Sequence, residues 1–306
     1  MLMEERISYH SLNELVALAD SKHRKLSEIV WNDQAAQLEV PREKLLAAMR
    51  RRLAVMGESV RNGLASERLS ASGLSGGDAA KMERFALRGG SWFREMDAVL
   101  AKALAAAEQN AAMGRICAAP TAGSCGILPA VLLTAMEGRG LSEEETAMAL
   151  FTASGIGMVI ADRASISGAE GGCQAECGSA AAMAAGALTE LEGGTPGMVG
   201  NACAFALKAV LGLVCDPVAG LVEVPCVKRN AMGAVQALAA SELALAGVES
   251  KIPVDEVIDA MREVGGLLPQ SLRETAQGGL AATKTAKMYS ERMRNDGASH
   301  TMHPVG

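Results

Sequence analysis

The sequence predicts an all-α protein, and three features carry that prediction. Alanine, methionine and leucine are abundant while aromatics make up only 3% of the chain, a composition suited to helices packed closely through small side chains. Clusters of β-branched residues, which strands favour, are few. Apolar positions recur at helical spacing in successive segments, two of which open on capping signals. With 306 residues, 49% of them apolar, the chain has material for one large core or two modest ones.

Taken in order, "SLNELVALADSKHRKLSEIV" places Ser11 three residues before Glu14, a capping box, ahead of apolar positions at helical spacing. "PREKLLAAMRRRLAVMGESV" sets Pro41 at a first helical position and puts Leu45, Leu46, Met49, Leu53, Met56 and Val60 on one face. Its "RRR" at 50–52 reads as a solvated face. The Ser- and Gly-rich "SASGLSGGDAAK" is a loop by composition. It marks the boundary between an N-terminal helical region, residues 1–65, and a main domain, residues 66–290. A helix follows around "REMDAVLAKALAAAEQNAAM". Ser142 and Glu145 then form the capping box of "SEEETAMALFTASGIGMVIADRAS". From Met113 to Arg229 the helices are interrupted by small-residue loops, where Gly and Ala let backbones approach each other and a ligand. "LVEV" is the one short segment read as a strand. "PVDEVIDAMREV" is a further helix, "ETAQGGLAATKT" a loop, and residues 291–306 a polar tail that is a candidate for disorder.

The net charge of −6, from 29 basic and 35 acidic residues, gives no reason to expect nucleic acid as a partner. "MLMEERISYH" lacks the basic and apolar regions of a secretory signal, and "NACAFALKAVLGLVC" is too short to span a bilayer and holds Lys208. The expectation is a soluble, cytoplasmic protein without membrane contact. In that compartment seven cysteines argue against a disulfide framework.

Three of the seven stand beside Gly or Pro. Cys173 follows "GAEGG", Cys215 opens "CDP", and Cys226 follows Pro225. At such loop and element ends a backbone can wrap a cluster and bond its sulfurs through amides. Cys203 lies in an apolar helical run and reads as filler. Cys117 and Cys125 bracket "APTAGS" and fit either role. The spacing matches neither a zinc ribbon, nor a thioredoxin-like CxxC, nor a bacterial ferredoxin. Spacing alone leaves packed filler and a dispersed catalytic cluster as open alternatives.

All four histidines, His10, His23, His300 and His303, lie near the termini. Ser–His or Cys–His machinery is therefore not available from the loop-rich centre, and a histidine base would come from a terminus or another chain. The Gly-rich "EGGTPG" and "AQGGLAATK" carry no Walker A pattern. "PTAGSCGILPA" is a small-residue loop running into a helix start, where free amides would favour an anion such as a substrate carboxylate, unless it is a plain connector.

The segments "ICAAPTAGSCGILPAVL", "SISGAEGGCQAECGSA", "LGLVCDPVAGLVEVPCVKRNAMGA" and "LRETAQGGLAAT" closely resemble the α subunit of the iron–sulfur-dependent L-serine dehydratases, with "SASGLSGGDAAKM" a looser match. The resemblance covers about residues 65–285. It implies a multi-helix domain with small-residue loops around a central [4Fe–4S] cluster held by Cys173, Cys215 and Cys226. Cys177, where family patterns commonly have another residue, is then a packed neighbour. It further implies cytoplasmic amino-acid degradation feeding gluconeogenesis: L-serine loses water by Lewis-acid-assisted β-elimination and yields pyruvate and ammonia. Thr121, Ala122, Gly123 and Ser124 would hold the substrate carboxylate. Ser165, Ser167 and Gly168 would line the other side, with Arg229 a further carboxylate candidate. Single-chain relatives carry a β domain ahead of this region and often read "PTNG" where this chain has "PTAG". The chain therefore resembles one half of a hetero-oligomer, with the general base, a histidine of a β subunit, on its partner. Competing readings are a related iron–sulfur lyase acting on L-cysteine or L-threonine, and a non-catalytic scaffold subunit.

Overall fold

Helix starts follow the local chemistry of the sequence only in part, and three of them are completed by distant side chains. A computed structural model of the chain describes residues 9–90 and 93–300, the last five of these by backbone alone. The helices run, in order, α1 (Leu12–Lys22), α2 (Leu26–Gln37), α3 (Arg42–Leu64), α4 (Asp78–Leu87), α5 (Arg94–Ala111), α6 (Ile127–Arg139), α7 (Glu143–Arg163), the single turn α8 (Gly168–Gly171), α9 (Ser179–Leu191), α10 (Pro196–Lys208), α11 (Cys226–Leu245), α12 (Val254–Leu267) and α13 (Lys284–His300). Among the described residues there is no strand, only an isolated bridge between Cys215 and Arg273. The fold is all-α, as its composition predicts.

The Ser142–Glu145 capping box forms in full. At α1 only half of the expected box forms. The Ser11 hydroxyl accepts from the Glu14 amide at 3.1 Å, but the Glu14 carboxylate turns to the amide of His10 at 2.7 Å. Pro41 is the N-cap of α3, one residue before the first helical position expected of it. On that helix Leu53, Met56 and Val60 are buried, and Leu45, Leu46 and Met49 pack against the core edge.

Three helix starts are capped from far away in sequence. Asp255 accepts from the amides of Leu12 and Asn13 at the head of α1, at 2.8 and 3.1 Å. Glu190, on α9, accepts from the amide of Ser27 in α2 and from the Thr152 hydroxyl at 2.7 Å. Glu108, on α5, accepts from the amides of Gly77, Asp78 and Ala79 at the head of α4. Burial pushes the Glu108 carboxyl pKa up, and the bonds from the amides of Asp78 and Ala79 oppose that shift. A carboxylate at a helix N-terminus satisfies orphan amides and meets the positive end of the dipole.

Helix α9 is buried around nearly its whole circumference, which marks the centre of a helical protein. It packs against α6, α7, α10 and α11. Close approach depends on small residues. A Cβ added at Gly186 would stand 2.9 Å from the Cys203 sulfur of α10. Cys203 is fully buried, the filler role expected of it. The N-terminal helices join this core, α1 on α10, α2 on α7, and α3 on α5 and α7.

Two sequence expectations change. "LVEV" is not a strand, because residues 222–225 form a turn. Glu223 points inward there and accepts from the hydroxyls of Ser70, Ser72 and Ser75 at 2.5, 2.9 and 2.6 Å, fixing the Ser-rich loop to the segment before α11. A four-residue run without a neighbouring strand has no ladder to join, and the three hydroxyl bonds favour the turn. The polar end expected as a tail from residue 291 continues α13 to His300, and residues 301–306 lie outside the described part.

Candidate active site

Three cysteines reach one region from three element ends. Cys173 follows the tight turn at Gly172, whose φ of 77° is left-handed and where a Cβ would stand 2.8 Å from the Leu213 carbonyl. Gln174, fully buried, stitches this turn to the segment before Cys215. Its amide nitrogen donates to the carbonyls of Gly171 and Met261, and its carbonyl accepts from the Gly212 amide at 2.9 Å. Cys215 is pinned through its backbone, by its amide to the Leu272 carbonyl at 2.9 Å and by its carbonyl from the Glu274 amide at 2.7 Å. This contact brings the "LRETAQGG" loop to the site. Cys226 is the first residue of α11 and sits at the positive end of that helix.

All three thiols are buried and lie within electrostatic range of one another. Burial pushes the Cys215 thiol pKa well up and that of Cys226 up to about 12. Cys173 goes the other way. Contact with the Cys177 sulfur, 3.4 Å away, lowers its pKa, and the Arg229 guanidinium adds to this. The same contact and burial push the Cys177 thiol pKa well up. Among the described residues, no three His, Cys, Asp or Glu side chains are arranged to hold a single metal ion.

Between Cys173 and Cys177 the chain makes a π-helical turn, Gln174–Gly178, an irregularity that often accompanies function. It projects Glu176 into the same region. Glu176 Oε1 accepts from the Thr121 hydroxyl at 2.9 Å, and Oε2 lies 3.9 Å from the Cys215 sulfur. Desolvation pushes its carboxyl pKa up. Sequence reasoning missed this residue. The available signal was a lone acid inside the small-residue run "GGCQAECGSA".

The Thr121–Ser124 loop forms a short 3-10 turn ahead of α6. The Thr121 and Ser124 hydroxyls are 3.2 Å apart, and the Gly123 carbonyl accepts from Asn230 Nδ2 at 2.7 Å. Asn230 also takes the Gly126 amide at 2.8 Å, so this amide of the helix start is satisfied internally. Gly123 and Gly168 flank Glu176. A Cβ at Gly123 would stand 3.0 Å from Oε1, and one at Gly168 would stand 2.8 Å from Oε2 and 2.9 Å from the Cys215 sulfur. The structure thus gathers Thr121, Gly123, Gly168, Glu176 and Cys215. Ser124 is buried, and Ala122 is exposed. Ser167 caps α8, while Ser165 donates to Glu170 at 2.6 Å. Arg229 is occupied, with Nη1 on the Val214 carbonyl at 2.8 Å and Nη2 2.9 Å from Asp216 Oδ1, an ion contact rather than a well-aligned hydrogen bond.

The family model described as serine dehydratase alpha chain matches residues 21–281. The chain is 48% identical over 287 residues to the probable L-serine dehydratase alpha chain of Bacillus subtilis strain 168, covering 93% of this chain and 95% of that one. It is 39% identical over 289 residues to the L-serine dehydratase alpha chain of Peptoniphilus asaccharolyticus, covering 94% and 99%. To the L-serine dehydratase TdcG of Escherichia coli strain K12 it is 38% identical over 280 residues, 89% of this chain and 61% of that longer one.

Proposed function

The chain belongs to the serine dehydratase alpha-chain family, and from that premise we propose that it is the α subunit of an enzyme converting L-serine to pyruvate and ammonia. One observation carries the reading at the level of the site. The ends of separate elements bring Cys173, Cys215 and Cys226 within electrostatic range of one another beside the Thr121 loop and Gly168, around the carboxylate of Glu176. In the reaction the α-proton and the β-hydroxyl leave as water, which gives aminoacrylate. That product tautomerises to an imine, and hydrolysis of the imine releases ammonia and pyruvate.

Cys173, Cys215 and Cys226 would hold a [4Fe–4S] cluster, and the residues present fit one. The donors are three buried thiols, the class such clusters prefer. Cys226 has the helix dipole and Cys173 has Arg229 to favour the thiolate form. Gly168 leaves free the space beside Cys215 that a Cβ would fill. When bound, the cluster supplies a Lewis acid that makes the substrate hydroxyl a better leaving group.

The protein's own part is to hold and orient the substrate. The Thr121–Ser124 turn, braced by Asn230, would receive the substrate carboxylate. Ser165, Ser167 and Gly168 line the opposite wall. Arg229 braces the Val214–Asp216 segment beside Cys173, which keeps Cys215 in register. The base that takes the α-proton comes from a histidine of a β subunit, in keeping with four histidines confined to the ends of this chain. No helix of the described residues is long and apolar enough to cross a membrane. Seven free cysteines suit the reducing cytoplasm.

The test is anaerobic purification with the β subunit. L-serine should give pyruvate, and Cys215→Ala should lose both iron and turnover. A Cys215→Ala enzyme that stayed active would overturn the ligand assignment.

A further inference from the structure

L-serine presents three polar groups, and the site as described so far accounts for two of them. The Thr121 loop would meet the carboxylate, and a cluster on the three cysteines would supply a Lewis acid for the hydroxyl. The third, the α-ammonium, is a compact cation with three N–H donors. We infer that Glu176 receives the α-ammonium of the substrate and makes the site selective for amino acids over the corresponding hydroxy acids. This rests on the reading that L-serine is the substrate.

Position is the first argument. Glu176 stands between the two loops assigned to the substrate, with Oε1 toward Gly123 and Oε2 toward Gly168 and Cys215. Both loops are glycine at the point of approach. A methyl at either would enter the space beside the carboxylate, at 3.0 Å on one side and 2.8 Å on the other. The residue is half-buried, so its carboxylate is withdrawn from bulk water yet reachable.

Charge is the second argument. Among the described residues no lysine, arginine or histidine forms an ion pair with Glu176. The guanidinium that stands nearby, Arg229, is held by Asp216 and the Val214 carbonyl. The other charged neighbour is acidic, Glu274. A carboxylate offers about four acceptor positions. Here it has one strong donor, the Thr121 hydroxyl, and one weak sulfur contact. A withdrawn anion without a partner is costly, and a bound ammonium supplies both the charge and the donors it lacks. The Thr121 hydroxyl, by donating to Glu176, ties the carboxylate loop to the ammonium acceptor. An alternative is that Glu176 takes the α-proton itself, and the two roles differ in what their loss does.

The experiment uses the anaerobic complex of this chain with its β subunit, as wild type and as Glu176→Gln. The ligands are L-serine and 3-hydroxypropionate, which is serine without its amino group. Dissociation constants are read from the change in visible absorption on titration, and kcat is measured separately. Glu176→Gln should weaken L-serine binding about 100-fold while changing 3-hydroxypropionate by less than about threefold, because only the amino acid loses a charged contact. Equal shifts for both ligands, or an intact L-serine affinity with a collapsed kcat, would overturn the assignment. If Glu176→Gln does not retain iron, Glu176→Asp carries the test. It keeps the charge but withdraws it by one methylene, and should weaken L-serine about tenfold without touching 3-hydroxypropionate. Unchanged L-serine affinity in that variant also refutes the idea. A wild type that makes no pyruvate from L-serine would instead refute the underlying function, so the two failures are distinguishable.

Discussion

Gly168→Ala adds one methyl group between Glu176 and Cys215. The new Cβ would stand 2.9 Å from the Cys215 sulfur and 2.8 Å from Glu176 Oε2, where ordinary contacts begin near 3.4 Å. Each neighbour would have to retreat by about 0.5 Å, and interiors packed at crystal density resist such shifts. Neither neighbour is free to move. Cys215 is held on both sides of its peptide by Leu272 and Glu274, and Glu176 is tied to Thr121 at 2.9 Å. Overpacking of this kind costs about 1–3 kcal/mol. If Cys215 holds the cluster and Glu176 meets the substrate as proposed, displacing them by about half an ångström should lower kcat/KM by about tenfold or more. The control is the same chemical change at Gly138, where an added Cβ meets nothing within 4 Å. Gly138→Ala removes backbone freedom from the unfolded chain and should be neutral or stabilising by up to about 1 kcal/mol. Thermal unfolding of both variants, with iron content and turnover measured anaerobically, separates them. A Gly168→Ala protein with wild-type melting, iron content and kcat/KM would show that the glycine is not required for clearance at the site.

Two further outcomes follow from the core and the sulfur pair. Glu190→Ala leaves the Ser27 amide and the Thr152 hydroxyl buried without an acceptor, which should cost about 3 kcal/mol and lower the melting temperature by roughly 6 °C. Adding Thr152→Val should cost less than the sum of the two single changes, and strict additivity would refute the shared bond. Cys177→Ala removes the sulfur in contact with Cys173 without removing a proposed ligand. It should retain iron and keep turnover within about tenfold of wild type, an outer-shell effect. Loss of iron equal to that of Cys215→Ala would place Cys177 among the ligands.

Local patterns in the sequence were sufficient for much of this protein. Composition and helical spacing fixed an all-α fold, and Ser142 with Glu145 marked the start of α7, because capping depends on residues three apart. Gly and Pro beside Cys173, Cys215 and Cys226 singled out the three thiols, since turns at element ends need those residues. The split between Cys173 and Cys177 came from resemblance. The geometry adds that the two sulfurs lie 3.4 Å apart and that their pKa values move in opposite directions.

Tertiary structure decided what depends on residues far apart in the chain. The caps of α1, α2 and α4 come from Asp255, Glu190 and Glu108, the first two more than 160 residues from the amides they meet. "LVEV" was misread as a strand because its turn is held by Glu223 reaching serines about 150 residues earlier. Glu176 showed in the sequence only as a lone acid in a small-residue run, since its position depends on a π-helical turn and on glycines from two other loops. Arg229 was a carboxylate candidate in the sequence, and only the fold shows that its guanidinium engages Asp216 and the Val214 carbonyl. Periodicity and turn chemistry act over a few residues and are written in order along the chain. Charge pairing and clearance act over a few ångströms of space, and only the folded chain sets which residues share that space.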